Sequence, residues 1–248
     1  MSASLVIDHA VAILTLERPE SLNALNRAVA KDLEHILKHL ESSTAVSVVI
    51  VSGRGRAFCA GNDIAEMPTL EPAEARALSR RWQKIMDRFG RLPQVTIAAV
   101  RGYALGGGCM LAAAQDLRIA EESARFGLPE VTLGFNPSYG IARLLDIMGG
   151  GPARDLLLTG RAVDAHEAQR VGLVSQVVAD GTLDEAASAL AGSIARHPRG
   201  GLAATKAIVA DIRAGKSGDA AQAYAASLRR DKDAQARIAD FVAKRKKD

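Results

Sequence analysis

Apolar and polar positions along the chain follow two rhythms in turn. The opening stretch "SLVIDHAVAILTLERP" alternates, which predicts two strands meeting at Asp8 to Ala10 and then a turn in "RPESLNALN". From Arg27 to about Glu41 the spacing becomes helical, with Val29, Leu33, Ile36, Leu37 and Leu40 on one face. "AVSVVIVSG" and "QVTIAAVRG" are continuous apolar runs ended by glycine, the pattern of strands buried on both faces, and each has a helix-like segment beside it. "DLRIAEESARFGLPEV" predicts one further short strand and a loop. Strands of this kind separated by helices predict parallel β/α units, hence an α/β fold.

After Pro152 the pattern is almost wholly helical, through "GPARDLLLTG", "DAHEAQRVG", a segment from Leu183 to Ala195 and a last region from about Gly218 to Lys247. Asp164 and Glu167 have the spacing of a capping box. Pro198 with Gly200 and Gly201 predicts a break, so residues 1–195 are expected to form the core and 196–248 a helical appendage. No internal repeat is visible, and the basic tail "AKRKKD" reads as a solvated terminus.

Composition narrows the function classes. A chain of 248 residues with 48% hydrophobic positions can bury one large core. Its longest apolar runs fall short of the roughly 20 residues that cross a membrane, and the first residues lack the basic start of a signal peptide, so a cytoplasmic location is expected. Cys59 and Cys109 make no disulfide framework and are expected as buried thiols. The net charge of +4 accommodates anionic ligands, but 4% aromatic residues leave few platforms for stacked bases, and no nucleic-acid partner is expected. His35 and His39, four apart on a helix, read as a polar face, and no metal is expected. The GxSxG, HExxH and GxxxxGK[ST] patterns are absent.

Two glycine-bearing stretches remain, "GRGRAFCAGNDIAEM" and "RGYALGGGCMLAAA", each following a predicted strand and leading toward a helix. Glycine at such a junction lets a ligand approach bare backbone, and two such loops can each offer one amide to a developing oxyanion. Two other readings stand beside this one. The glycines can serve only to pack helix against strand, or they can belong to a dinucleotide fingerprint, although the GxGxxG spacing is missing.

The residues in "AFCAGNDIAEM", "AAVRGYALGGGCMLAAAQDLRIA", "ARFGLPEVTLGF", "LLLTGRAVDAHEAQRVGLVSQVV" and "FVAKRKKD" together resemble the crotonase superfamily, the enoyl-CoA hydratase/isomerase group. The resemblance runs from "RPESLNALN" to the last residues. It implies a spiral of ββα units with a helical C-terminal trimerisation region, a homo-oligomer that is a trimer or a dimer of trimers, and an acyl-CoA thioester as substrate without a separate cofactor. It places the oxyanion hole at the backbone amides of Asn62 and Gly107. It also puts Ala24, Ala60, Asp63, Ile64, Tyr103, Gly106 and Pro129 against the CoA thioester, Phe241 and Lys244 where they can reach the CoA of a neighbouring subunit, and Met110, Asn136 and Tyr139 in the acyl pocket. The segment "AEMPTLEPAEARALSRRWQKIMDRF" is expected to line part of that pocket; the acyl group itself is not legible.

Hydratases of this superfamily use two glutamates. Glu130, in "GLPE", matches the second, whereas the first position is Met110. A thioether neither holds nor releases a proton at physiological pH, so it cannot position water as a carboxylate does. One carboxylate beside an oxyanion hole suits enoyl-CoA isomerisation, with Glu130 as proton shuttle and Met110 excluding water and raising the glutamate's pKa. In "LGFNPSYGIARL", where many relatives are glycine-rich, Asn136, Ser138 and Tyr139 add polar groups, and Tyr139 either donates to a polar substrate or packs. Hydration, hydrolysis or decarboxylation stand as alternatives, as does a non-catalytic acyl-CoA-binding subunit.

Overall fold

In the computed structural model, which describes residues 1–69, 71–217, 219–230 and 232–245, the opening alternation becomes an antiparallel hairpin. Its strands are β1 (Ala3–Asp8) and β2 (Val11–Leu16). Helix α1 (Arg27–Ser42) begins at Asn26, whose side chain accepts a hydrogen bond from the Val29 amide at 2.9 Å. The chain continues through β3 (Val48–Gly53), α2 (Pro72–Arg91), β4 (Val95–Val100), β5 (Tyr103–Leu105), α3 (Gly107–Ala114), β6 (Leu117–Glu121) and β7 (Arg125–Gly127). Then come α4 (Ile141–Met148), α5 (Gly150–Thr159), β8 (Ala162–Asp164), α6 (Ala165–Arg170), β9 (Gln176–Val178), α7 (Leu183–Ala195), α8 (Arg199–Arg213), α9 (Asp219–Leu228) and α10 (Lys232–Arg245).

The main sheet has the order β1-β2-β3-β4-β6-β9, parallel everywhere except in the first hairpin. Each of β2, β3, β4 and β6 is followed by a short extended segment and then a helix. The short segments pair in succession: Leu25 with Asn62, Cys59 with Ala104, and β5 with β7. This is a spiral of ββα turns, although the sequence shows no repeat. What recurs is backbone direction, which different side chains can satisfy equally well.

Alternation within the long strands sorts residues between two cores. Val49 and Val51 of β3 and Ala98 and Val100 of β4 join α1, α2 and α3 in the larger core. Val48, Ile50, Ile97 and Ala99 turn the other way and are covered by Leu183, Ala187 and Ala191 of α7. A continuous apolar run is therefore required, because both strand faces are dry.

Several expected details change in three dimensions. The region after Pro152 is not wholly helical: β8 pairs with β7, and β9 closes the main sheet beside β6. These strands have three residues each, too short for a sequence period to register. "DLRIAEESARFGLPEV" contains two strands and a 3-10 turn at Pro129–Leu133. Pro198 stands at the start of α8, but Gly200 and Gly201 lie inside its first turn and do not break it. Asp164 caps α6, accepting from the Glu167 amide at 2.7 Å, while the Glu167 side chain bonds Arg161 at 2.7 Å and so leaves the capping box half made. The last helical region divides into α9 and α10; Gly218 and Lys247 lie outside the described residues. No helix among the described residues is long and apolar enough to cross a membrane.

Helix α8 returns to the sheet through Lys206, which is 8% exposed. Its ammonium lies 2.6 Å from Asp116 Oδ2 and donates to the Gln94 carbonyl at 2.7 Å. Removing the ammonium leaves the Gln94 carbonyl without its donor and the part-buried Asp116 carboxylate without its cation. Lys206→Met is expected to cost about 3 kcal/mol in urea unfolding; a loss below about 1 kcal/mol, the size typical of a surface pair, would refute this role.

Candidate active site

Helix α3 is a short buried helix whose sequence, GGCMLAAA, has no polar face. Its N-cap is Gly106, at φ 51°, so no side chain caps the first turn. The Gly107 amide therefore has no partner within the helix or from its cap, and it carries the positive end of the helix dipole.

The three glycines have separate reasons. A methyl group on Gly106 would stand 3.0 Å from Glu130 Oε1. One on Gly107 would collide with the Tyr139 hydroxyl and lie 2.8 Å from Asn62 Oδ1, whereas one on Gly108 would collide with the Cys59 carbonyl oxygen. Gly108 thus serves packing, and Gly106 and Gly107 keep space at a site.

Asn62 arrives from the neighbouring turn of the spiral. Residues 59–63 run between two extended segments, with Ala60 N donating to Leu22 O at 2.9 Å, Leu25 N to Gly61 O at 2.7 Å and Asp63 N to Leu25 O at 2.9 Å. On the other side Cys59 N donates to Tyr103 O at 2.9 Å and Leu105 N to Cys59 O at 3.0 Å. In a parallel pair the flanking residues make the bonds, so the Asn62 amide faces away from Leu25. It joins Gly107 on the wall of one pocket of about 280 Å³.

That pocket brings together Asn62, Asp63, Gly107, Met110, Glu130, Asn136, Ser138 and Tyr139. Gly106 is held behind it against Glu130, and Pro129 opens the 3-10 turn that carries Glu130. Ala24, Ala60, Ile64 and Tyr103 lie outside its lining: the Ala24 carbonyl accepts from Arg18 at 2.6 Å, and Ile64 and Tyr103 are exposed. Phe241 is exposed on α10, and Lys244 lies on the same helix with its side chain outside what the structure describes. Leu25, Leu78, Ser79, Trp82 and Phe135 also line the pocket. Of these, Leu78, Ser79 and Trp82 lie in the segment expected to line the acyl pocket, where Leu78, Trp82, Ile85 and Phe89 follow a helical stripe on α2. Its inner end reaches the site, and Trp82 stacks on Tyr139 with ring centroids 6.4 Å apart.

Among the carboxylates on the wall, Asp63 pairs with Arg18 at 3.0 Å and Glu66 accepts from the Arg27 amide at 3.3 Å. Glu130 is 9% exposed, and its Oε2 is buried without a hydrogen-bond partner. Burial holds its carboxyl above the ordinary carboxylate range. Met110, 2% exposed, lines the same wall and packs against Gly140. Tyr139 donates to Asn62 Oδ1 at 2.6 Å, and burial pushes its phenol pKa up, so it stays protonated. Cys59 and Cys109 are buried, with burial pushing both thiols up to about 12. Among the described residues no group of three or more His, Cys, Asp or Glu is placed to hold a metal ion.

Comparison with known proteins places this geometry. The profile of the family described as enoyl-CoA hydratase/isomerase matches residues 6–248. The short-chain-enoyl-CoA hydratase of Clostridium acetobutylicum is 41% identical over 186 residues, 74% of this chain and 71% of that protein. The 2,3-dehydroadipyl-CoA hydratase of Escherichia coli K12 is 41% identical over 197 residues, 79% of this chain and 76% of that one. The crystal structure of an enoyl-CoA hydratase from Mycobacterium smegmatis superposes with a TM-score of 0.94 at 31% identity, covering 98% of this chain and 97% of that one. With its spiral of ββα turns and a matching profile over nearly its whole length, the chain belongs to the enoyl-CoA hydratase/isomerase family of the crotonase superfamily.

Proposed function

We propose that the protein shifts the double bond of an enoyl-CoA thioester, using Glu130 alone to carry the proton. The observation that carries this reading is one desolvated carboxylate in a pocket it shares with Met110: Glu130 Oε2 has no partner, and Met110 stands where the resemblance puts the family's other glutamate. A thioester carbonyl set against the amides of Asn62 and Gly107 would gain hydrogen bonds that strengthen as its oxygen becomes an enolate. Glu130 takes the α-proton of a 3-enoyl thioester, and the electron pair of the broken C–H bond spreads through the dienolate. The γ-carbon then takes the proton back, which leaves the double bond between C2 and C3. A carboxyl with a raised pKa is suited to both directions of this transfer.

Hydration is the second reading, favoured by the names of the relatives, which are hydratases. It requires some group other than Met110 to share the water with Glu130. The oligomer implied by the family belongs to the same proposal, supported by the exposed Ile238, Phe241 and Val242 on α10.

Supplied with 3-enoyl-CoA and 2-enoyl-CoA in deuterated water, the protein is expected to interconvert them with no water added across either, read by mass spectrometry. Rapid formation of 3-hydroxyacyl-CoA would decide for hydration. Glu130→Gln is expected to lower turnover by about a hundred- to ten-thousandfold while CoA thioesters still bind; unchanged turnover would remove Glu130 from the mechanism.

The same carboxyl should cost stability at neutral pH. Below the usual value of 4.5 it is protonated in both folded and unfolded chains, whereas above it only the unfolded chain ionises freely. Its contribution is thus lost as pH rises through the raised folded value. Glu130→Gln is expected to melt above the parent at about pH 8, with the difference shrinking as pH falls toward the unfolded value. A difference independent of pH would contradict this account.

A further inference from the structure

The Tyr139 hydroxyl does more than fill the pocket wall. Its ring is fixed by the stack on Trp82. The loop that carries it is tied to α2 on either side, by Ser79 and Ser138 at 2.9 Å and by the Gly140 amide donating to Gln83 Oε1 at 3.0 Å. Its oxygen stands over Gly107, where even one methyl group would collide with it, and beside Asn62 Oδ1, its hydrogen-bond acceptor at 2.6 Å. The phenol is therefore held at the residues whose amides face the thioester oxygen in the preceding reading.

Resting on that reading, we propose that Tyr139 is a third donor to the thioester oxygen, releasing Asn62 Oδ1 and turning its O–H to the substrate as negative charge develops. The exchange is uphill or neutral for an uncharged carbonyl, since one neutral hydrogen bond replaces another. It becomes favourable for an enolate, because hydrogen bonds to ionised acceptors are about twice as strong. Such a donor acts on the transition state more than on the bound substrate. Asn62 is only half-buried, so its side-chain oxygen can be solvated when released. A phenol that remains neutral beside Glu130 donates a hydrogen bond without surrendering its proton, and the carboxylate keeps the proton transfer to itself. No covalent step is involved.

The test uses butanoyl-CoA labelled with carbon-13 at the carbonyl, a saturated thioester that can neither isomerise nor hydrate. Two quantities are read: the infrared frequency of the bound carbonyl, and exchange of the α-protons in deuterated water. Tyr139→Phe is expected to return part of the downward shift of the carbonyl band and to slow exchange about ten- to a hundredfold, with little change in affinity. Asn62→Ala separates direct donation from positioning: a directly donating tyrosine keeps its share of the shift, whereas one acting through the Asn62 side chain loses it. An unchanged band and exchange rate in Tyr139→Phe, with the melting temperature preserved, would overturn the proposal while leaving the acyl-CoA reading intact. Failure of the parent protein to bind butanoyl-CoA at all would overturn both. Tighter binding by Tyr139→Phe, with exchange no slower, would make the hydroxyl an obstacle and also refute it.

Discussion

The site depends on how closely two stretches of backbone approach: residues 59–62 and the first turn of α3. A side chain at Gly108 would meet the Cys59 carbonyl, and one at Gly61 would stand 2.9 Å from the Leu105 carbonyl. With both positions bare, the chain can bond Cys59 to Tyr103 and Leu105 and still bring Asn62 to the same wall as Gly107. Two amides left without partners by separate causes, a strand pairing and an uncapped helix start, then face one space. Backbone amides set this way need no side chain to move into place, which is the condition under which fixed dipoles act most effectively.

Around that fixed backbone the side chains set the chemistry. Glu130 is buried, raised in pKa and left with an unsatisfied oxygen, an arrangement that costs folding free energy. Pro129 and the 3-10 turn hold it there despite the cost. Met110 keeps its surroundings apolar, and the Trp82 and Tyr139 rings close another part of the wall. The pocket thus joins one desolvated carboxylate to a wall that carries apolar and aromatic side chains.

The spiral explains how such distant segments meet. Asn62, Gly107 and Glu130 each follow a long strand of the main sheet by one short extended segment. Because β3, β4 and β6 lie side by side and parallel, the segments after them stack at one end of the sheet. Helix α2 then crosses this end, which is why its inner face contributes Leu78, Ser79 and Trp82 to the pocket.

Much of this could be read from the chain itself. Continuous apolar runs gave away β3 and β4, because a strand dry on both faces has no polar alternative, and the 3-4 spacing of Val29, Leu33, Ile36 and Leu40 announced α1. The glycine triplet and Glu130 stood out in the sequence as candidates for chemistry, and the resemblance to the family set Met110 at the place of a carboxylate. Other features were decided only by tertiary structure. Strands β5, β7, β8 and β9 have three residues each and exist because a neighbouring backbone offers hydrogen bonds, not because their own period demands it. The bond from Tyr139 to Asn62 joins residues 77 positions apart, and the unpartnered state of Glu130 Oε2 depends on what every adjacent element omits. Sequence determined which groups are present; the distances between them, and the burial of Glu130, came from packing.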